Sequence, residues 1–210
     1  MNYADIKQYD IANGPGIRVS VFVSGCTHRC KNCFNEVAWD FHYGKPFTEE
    51  TIQSVIEYLK PDYVAGLTLL GGEPMEHVNQ QGLLPLIREV KRIYPQKNIW
   101  CFTGYDFDKD ILGRMYLEWE ETRELLSYFD VMVDGKFIEA LKGANLRFKG
   151  SANQRTINVP ESLKAGHAVI GEGYENMYKY KVAMYIQAGR YFEVEQLKII
   201  HKHSLSRLSK

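Results

Sequence analysis

Polar and apolar residues alternate through Arg18-Val19-Ser20-Val21-Phe22-Val23, which predicts a strand that delivers the chain directly into a loop. Beyond that loop the period changes. Ile52, Val55, Ile56 and Leu59 recur at helical spacing behind Thr48, a suitable N-cap, with Glu49 and Glu50 in the first turn and Pro61 as a stop. The short apolar run Leu67-Thr68-Leu69-Leu70 ends in Gly71-Gly72 and predicts a second strand, and Leu83, Ile87, Val90 and Tyr94 mark one face of a second helix. Asn98-Ile99-Trp100-Cys101-Phe102 predicts a third strand closed by Thr103-Gly104. An acidic amphipathic stretch follows through Glu118, Glu120, Glu121 and Glu124. Val131-Met132-Val133 predicts a fourth strand before Asp134-Gly135, and Thr156-Ile157-Asn158-Val159 a last short one.

Apolar strands alternating with helices predict an α/β protein with a parallel sheet of βα units, whose sites lie at the C-terminal ends of the strands. The runs are too few for a closed eight-stranded barrel, so an open partial barrel is expected. Its rim would gather Cys26 to Cys33 after the first strand, Gly71 to Pro74 after the second, Thr103 after the third, and Asp134 with Lys136 after the fourth.

Composition narrows the function classes. At 210 residues the chain can bury one substantial core. Its 26 basic and 26 acidic residues cancel, which gives no general reason for nucleic-acid binding. No apolar stretch approaches the ~20 residues that span a bilayer, and no secretory signal precedes the cysteines. A soluble, cytoplasmic protein with reduced thiols is the expectation.

Cys26, Cys30 and Cys33 have the spacing C-x3-C-x2-C, and the remaining cysteine, Cys101, lies far along the chain. A cubane iron–sulfur cluster takes four ligands, so three clustered thiolates hold three irons and leave the fourth open to a substrate or cofactor. An incomplete ligand set points to chemistry at the metal. A structural zinc site of Cys26, Cys30 and Cys33 with His28 or His42 is the alternative, since zinc takes four closed tetrahedral ligands. Cys101 reads as a buried strand thiol.

The triad Cys26-Thr27-His28-Arg29-Cys30-Lys31-Asn32-Cys33, followed by Gly71-Gly72-Glu73-Pro74, resembles the radical S-adenosylmethionine (SAM) superfamily. The segments Asn13 to Arg18, Trp100 to Tyr105, Asp130 to Phe137 and Arg147 to Arg155 narrow the resemblance to the activators of the anaerobic ribonucleoside-triphosphate reductase, over residues 1 to 159. The resemblance implies a radical SAM activase domain of the partial (β/α) barrel type over residues 1–160. In it Cys26, Cys30 and Cys33 hold a [4Fe-4S] cluster whose open iron is chelated by SAM. One electron, from a donor such as flavodoxin or ferredoxin, would cleave SAM to a 5′-deoxyadenosyl radical, which would generate a glycyl radical on the reductase.

The resemblance also distributes the site. Asn32, Cys33 and Phe34 would line the nucleoside. Gly71, Gly72, Glu73 and Pro74 would receive the methionine amino end, Thr103 would lie at the same rim, and Asp134 with Lys136 would lie near the SAM carboxylate or a cation. Backbone carbonyls beside two glycines can approach an ammonium because no side chain intervenes, so Gly72→Val is expected to spare the cluster and weaken SAM binding. The alternatives are an activase of another glycyl radical enzyme, such as pyruvate formate-lyase, or a zinc-stabilised binding module without catalysis. Residues 161–210 form a mildly basic C-terminal extension in which Val182, Tyr185, Ile186, Val194, Leu197 and Ile200 predict short amphipathic helices.

Overall fold

The computed structural model describes residues 1–143 and 146–171. It is a mixed α/β protein built on one open seven-stranded sheet. The strands are β1 (Asn2–Asp10), β2 (Ile17–Val23), β3 (Lys45–Pro46), β4 (Val64–Gly71), β5 (Asn98–Phe102), β6 (Val131–Asp134) and β7 (Arg155–Asn158). They lie in the order β3-β1-β2-β4-β5-β6-β7. The central pairs β2/β4, β4/β5 and β5/β6 are parallel, whereas β1 and β7 pair antiparallel to their neighbours. Both ends of the order are free, so the sheet does not close on itself.

The helices follow from local chemistry. α1 (Glu49–Leu59) begins where Thr48 N–H donates to Thr51 Oγ1 at 3.3 Å, and it buries Ile52, Val55, Ile56 and Leu59 as their spacing requires. α2 (His77–Ile93) buries Leu83, Ile87 and Val90. A π-helical turn (Phe107–Met115) and the single turn α3 (Tyr116–Glu118) precede α4 (Glu120–Tyr128), which is the acidic stretch and buries Thr122, Leu125 and Leu126. Asn158 caps α5 (Val159–Ala165) by accepting from Glu161 N–H at 3.2 Å.

One sheet face carries Val19, Val21, Leu67, Leu69, Ile99 and Met132 into a single core with these helices. Strand alternation sends Arg18, Ser20, Thr68 and Trp100 to the other face, where all four are nonetheless buried. Arg18 is fully buried among acceptors: Thr68 Oγ1 at 2.6 Å, Leu67 O at 2.7 Å and Asn98 Oδ1 at 2.8 Å. Its guanidinium lies 5.5 Å from the Trp100 ring centroid, and Phe148 packs edge-on against the same ring at 5.4 Å. Arg18→Met keeps the volume but leaves those acceptors without their donor. A loss of roughly 3 kcal/mol in unfolding free energy is expected, because each orphaned buried acceptor costs about 1–3 kcal/mol. Chemical denaturation of the variant checks it, and an unchanged midpoint would reject the role assigned to Arg18.

The four expected central strands appear within a few residues of their expected bounds. β1 was not expected, and Val159 opens α5 rather than ending β7. The compact unit runs Met1–Ile170, held at its end by Asn158 N–H donating to Val169 O at 2.9 Å. The expected boundary after residue 160 therefore falls inside α5. The helices expected between Val182 and Ile200 lie outside the described residues. Among the described residues no helix is long and apolar enough to cross a membrane.

Candidate functional site

The C-terminal ends of β2, β4, β5 and β6 converge as the βα pattern requires. After β2 the chain enters the cysteine loop, whose start is anchored by Gly25 N–H donating to Ala38 O (2.8 Å) and Cys26 N–H to Trp39 O (3.2 Å). Ala38 and Trp39 belong to a 3-10 turn, Glu36–Trp39, that closes the loop from behind. Arg29 and Asn32, the residues just before Cys30 and Cys33, have left-handed backbones with φ of 48° and 53°. Asn adopts that region readily and Arg does not, so the loop holds local strain at the positions that set the direction of two thiols.

The turn after β4 is laid against the same loop. Gly72 N–H donates to Val23 O at 2.7 Å and Glu73 N–H to Gly25 O at 2.8 Å, while Asn79 Nδ2 donates to Ser24 O and Glu73 O at 3.0 and 2.9 Å. A Cβ on Gly72 would come within 2.5 Å of Gly25 O and 2.8 Å of Ala38 O. The glycine is thus required by backbone packed against it, which corrects the expectation that its missing side chain leaves room for a ligand.

Glu73 is buried, and both its oxygens are engaged. Oε1 accepts from Met75 N–H (2.8 Å), and Oε2 accepts from Gly104 N–H (2.7 Å) beside His28 Nε2 (2.9 Å). It joins the loops after β2, β4 and β5.

These loops enclose a cavity of about 370 Å³, within the roughly 300–1,000 Å³ of small-molecule sites. Cys26, Cys30 and Cys33 line it together with Asn32, Phe34, Gly71, Gly72, Glu73 and Thr103. Phe34 is 81% exposed, so its ring stands free at the wall. The Asn32 amide donates to Glu139, which bends the segment after β6 toward the cysteine loop. Pro74 is buried behind the wall and does not line the cavity.

Asp134 and Lys136 lie elsewhere: they line a neighbouring cavity with Asp106, Asp110 and Arg155. Asp134 is held by Arg155 through Nε at 3.1 Å and Nη2 at 2.5 Å, and by Phe107 N–H at 2.8 Å. With those partners it organises the loop after β5. Burial pushes the Cys30 thiol above its ordinary value, opposed by a backbone hydrogen bond at Phe137 and by the Lys136 charge. Burial, the largest cause, pushes the more enclosed Cys26 up to about 12.

Sequence reasoning gave no role to Phe102, Phe148 or Gln154, which also line the cavity. Phe148 arrives with φ of 53°, a strained value for an aromatic residue. Cys101 is fully buried on the opposite sheet face, its thiol raised first by burial and then by the charge of Glu73.

The donor set is three soft thiols around one wall, which suits iron–sulfur binding. Among the described residues no three His, Cys, Asp or Glu side chains converge on one point as a single ion requires. His42, a candidate fourth zinc ligand, sits on the surface beside Asp40 at 3.5 Å.

The 4Fe-4S single cluster domain family matches residues 12–157. The chain is 42% identical over 156 residues to the anaerobic ribonucleoside-triphosphate reductase-activating protein of Haemophilus influenzae, covering 73% of this chain and 96% of the relative. It is 40% identical over 155 residues to the protein of the same name from enterobacteria phage T4, covering 74% and 92%. Against that of Escherichia coli K12 it is 36% identical over 156 residues, covering 73% and 96%.

Proposed function

The chain belongs to the family of anaerobic ribonucleoside-triphosphate reductase-activating proteins, and from that premise we propose that it is a radical SAM activase that installs a glycyl radical on such a reductase. The observation that carries this reading is the three thiols lining one cavity whose opposite wall is the Gly71-Gly72 turn. The open sheet, with its site at the ends of the parallel strands, supports a partial (β/α) barrel of the radical SAM type. Residues 1–160 form the activase domain and 161–210 an extension. A cytoplasmic location belongs to the same proposal, since the loop thiols must stay reduced to take up iron.

Cys26, Cys30 and Cys33 are the ligands of a [4Fe-4S] cluster, and together with SAM it supplies the radical chemistry, with flavodoxin or ferredoxin as electron donor. Everything else is binding and orientation by the chain. Gly71 and Gly72 offer backbone beside the thiols for the methionine ammonium. Asn32 and Phe34 flank the nucleoside, and the free Phe34 ring covers it. Thr103 holds the rim after β5, its N–H donating to Val133 O at 2.9 Å and its Oγ1 accepting from Tyr105 N–H at 3.1 Å. Glu73 works from behind the wall, since its oxygens already have partners. Asp134 and Lys136 act at one remove, the first through Arg155 and the second as a positive charge near Cys30.

Cys26 and Cys30 give up protons on binding iron, because thiolates are the ligands. Their raised affinity for protons in the cluster-free chain means that loading improves toward alkaline pH.

The test is electron paramagnetic resonance after anaerobic incubation with reductant, SAM and the reductase. A glycyl radical signal on the reductase is expected. A signal on pyruvate formate-lyase with none on the reductase would move the chain to another branch of activases, and zinc without acid-labile sulfide would reject catalysis altogether.

A further inference from the structure

Between Cys26 and Cys30 the chain is fastened at two points by glutamates of the turn after β4. Thr27 donates to Glu76 Oε1 through its N–H at 2.9 Å and its Oγ1 at 2.5 Å. His28 turns inward, its side chain 13% exposed, and places Nε2 at 2.9 Å from Glu73 Oε2. The imidazole also lies against the Tyr105 ring, with centroids 4.4 Å apart, and over Gly104, where an added Cβ would come within 2.5 Å of Cδ2. One side chain of the cysteine loop therefore touches the loops that end both β4 and β5.

The loop needs such an anchor. Arg29 and Asn32 hold left-handed backbones, which cost of order 1–3 kcal/mol each where sparsely populated, and they persist only when surrounding contacts over-determine them. The loop's own hydrogen bond, Cys33 N–H to Cys30 O at 3.2 Å, is a modest counterweight of about 1 kcal/mol.

We infer that His28 is a positioning residue of the thiol site: through Glu73 and Gly104 it holds the Cys26–Cys33 loop in its strained shape before any cofactor arrives. That it positions cluster ligands rests on the function proposed above, whereas the latch itself is a property of the cluster-free chain.

The experiment follows thiol labelling by a disulfide reagent in the full, cluster-free chain under native conditions, resolved by peptide mass spectrometry. Cys26 reports opening of the loop, and Cys101, buried in the core, reports global unfolding. His28→Gln puts an amide nitrogen the same number of bonds from Cβ as Nε2, and His28→Asn falls one bond short. In His28→Asn, Cys26 is expected to label about tenfold faster with Cys101 unchanged, and in His28→Gln to return to within about threefold of the native rate, as local opening predicts. Native-rate labelling in His28→Asn, labelling in His28→Gln as fast as in His28→Asn, or a parallel rise at Cys101 would each overturn the latch. Iron uptake by the native chain is a separate readout. Its failure rejects the cluster while leaving the labelling contrast intact, and normal uptake without that contrast rejects His28 alone.

Discussion

Cys30→Ala is expected to abolish cluster retention and all SAM cleavage while leaving the fold nearly unchanged. Cys30 is only partly buried in a loop whose backbone is tied elsewhere, through Cys26 N–H, Thr27 and His28, so little packing is lost with its sulfur. The cluster has no such redundancy, because each of the three thiolates would hold its own iron. Cys101→Ala inverts the pattern. That thiol is fully buried among core residues on the far face of the sheet, so its removal costs about 1 kcal/mol in lost packing. That cost corresponds to a drop of roughly 2–4 °C in melting temperature for a chain of this size. Iron and acid-labile sulfide after anaerobic reconstitution, measured beside the melting temperature, separate the two variants. Full iron in Cys30→Ala, or its loss in Cys101→Ala, would overturn the ligand assignment.

The contrast between these two cysteines was legible in the sequence, because spacing and strand context are local properties. The strands beneath the site were legible for the same reason. β4 and β5 are buried on both faces and read as apolar runs, and the breaks in the pattern at Arg18 and Thr68 are satisfied by one another at 2.6 Å. β1 was not legible. It lies near the sheet edge with Asp5, Lys7 and Tyr9 exposed, and only pairing with β2 makes a strand of it. Long-range contacts set the remaining limit. Glu73 meets His28 across 45 positions and Gly104 across 31, so a segment that reads as ligand-binding proves also to be the joint between three loops. Asp134 reads as a rim residue, but its cross-strand neighbour Arg155 takes its carboxylate. Phe148 reaches Trp100 with a backbone conformation that its residue type disfavours, and nothing in its sequence neighbourhood signals that.

The turn after β4 gives the sharpest contrast between the two readings. If Gly72 were glycine to leave space for SAM, alanine would be tolerated there, and only a larger side chain would block the ligand with the cluster intact. The packing predicts otherwise, because the Cβ itself would sit 2.5 Å from Gly25 O and 2.8 Å from Ala38 O, two backbone atoms that cannot swing aside. Gly72→Ala must therefore push the turn off the cysteine loop and stretch the hydrogen bonds from Gly72 N–H to Val23 O and from Glu73 N–H to Gly25 O. Two such bonds at about 1 kcal/mol each, with roughly 1–3 kcal/mol of overpacking strain, come to about 3–5 kcal/mol. The melting temperature of the cluster-free chain should fall by on the order of 10 °C. Gly72→Val should be little worse than Gly72→Ala, since the first carbon carries most of the clash. Both variants should lose iron as well as SAM binding, because Gly25 adjoins Cys26 and moves with the turn. A Gly72→Ala protein with native melting temperature and full iron but impaired SAM binding would restore the ligand-space explanation and reject the packing one.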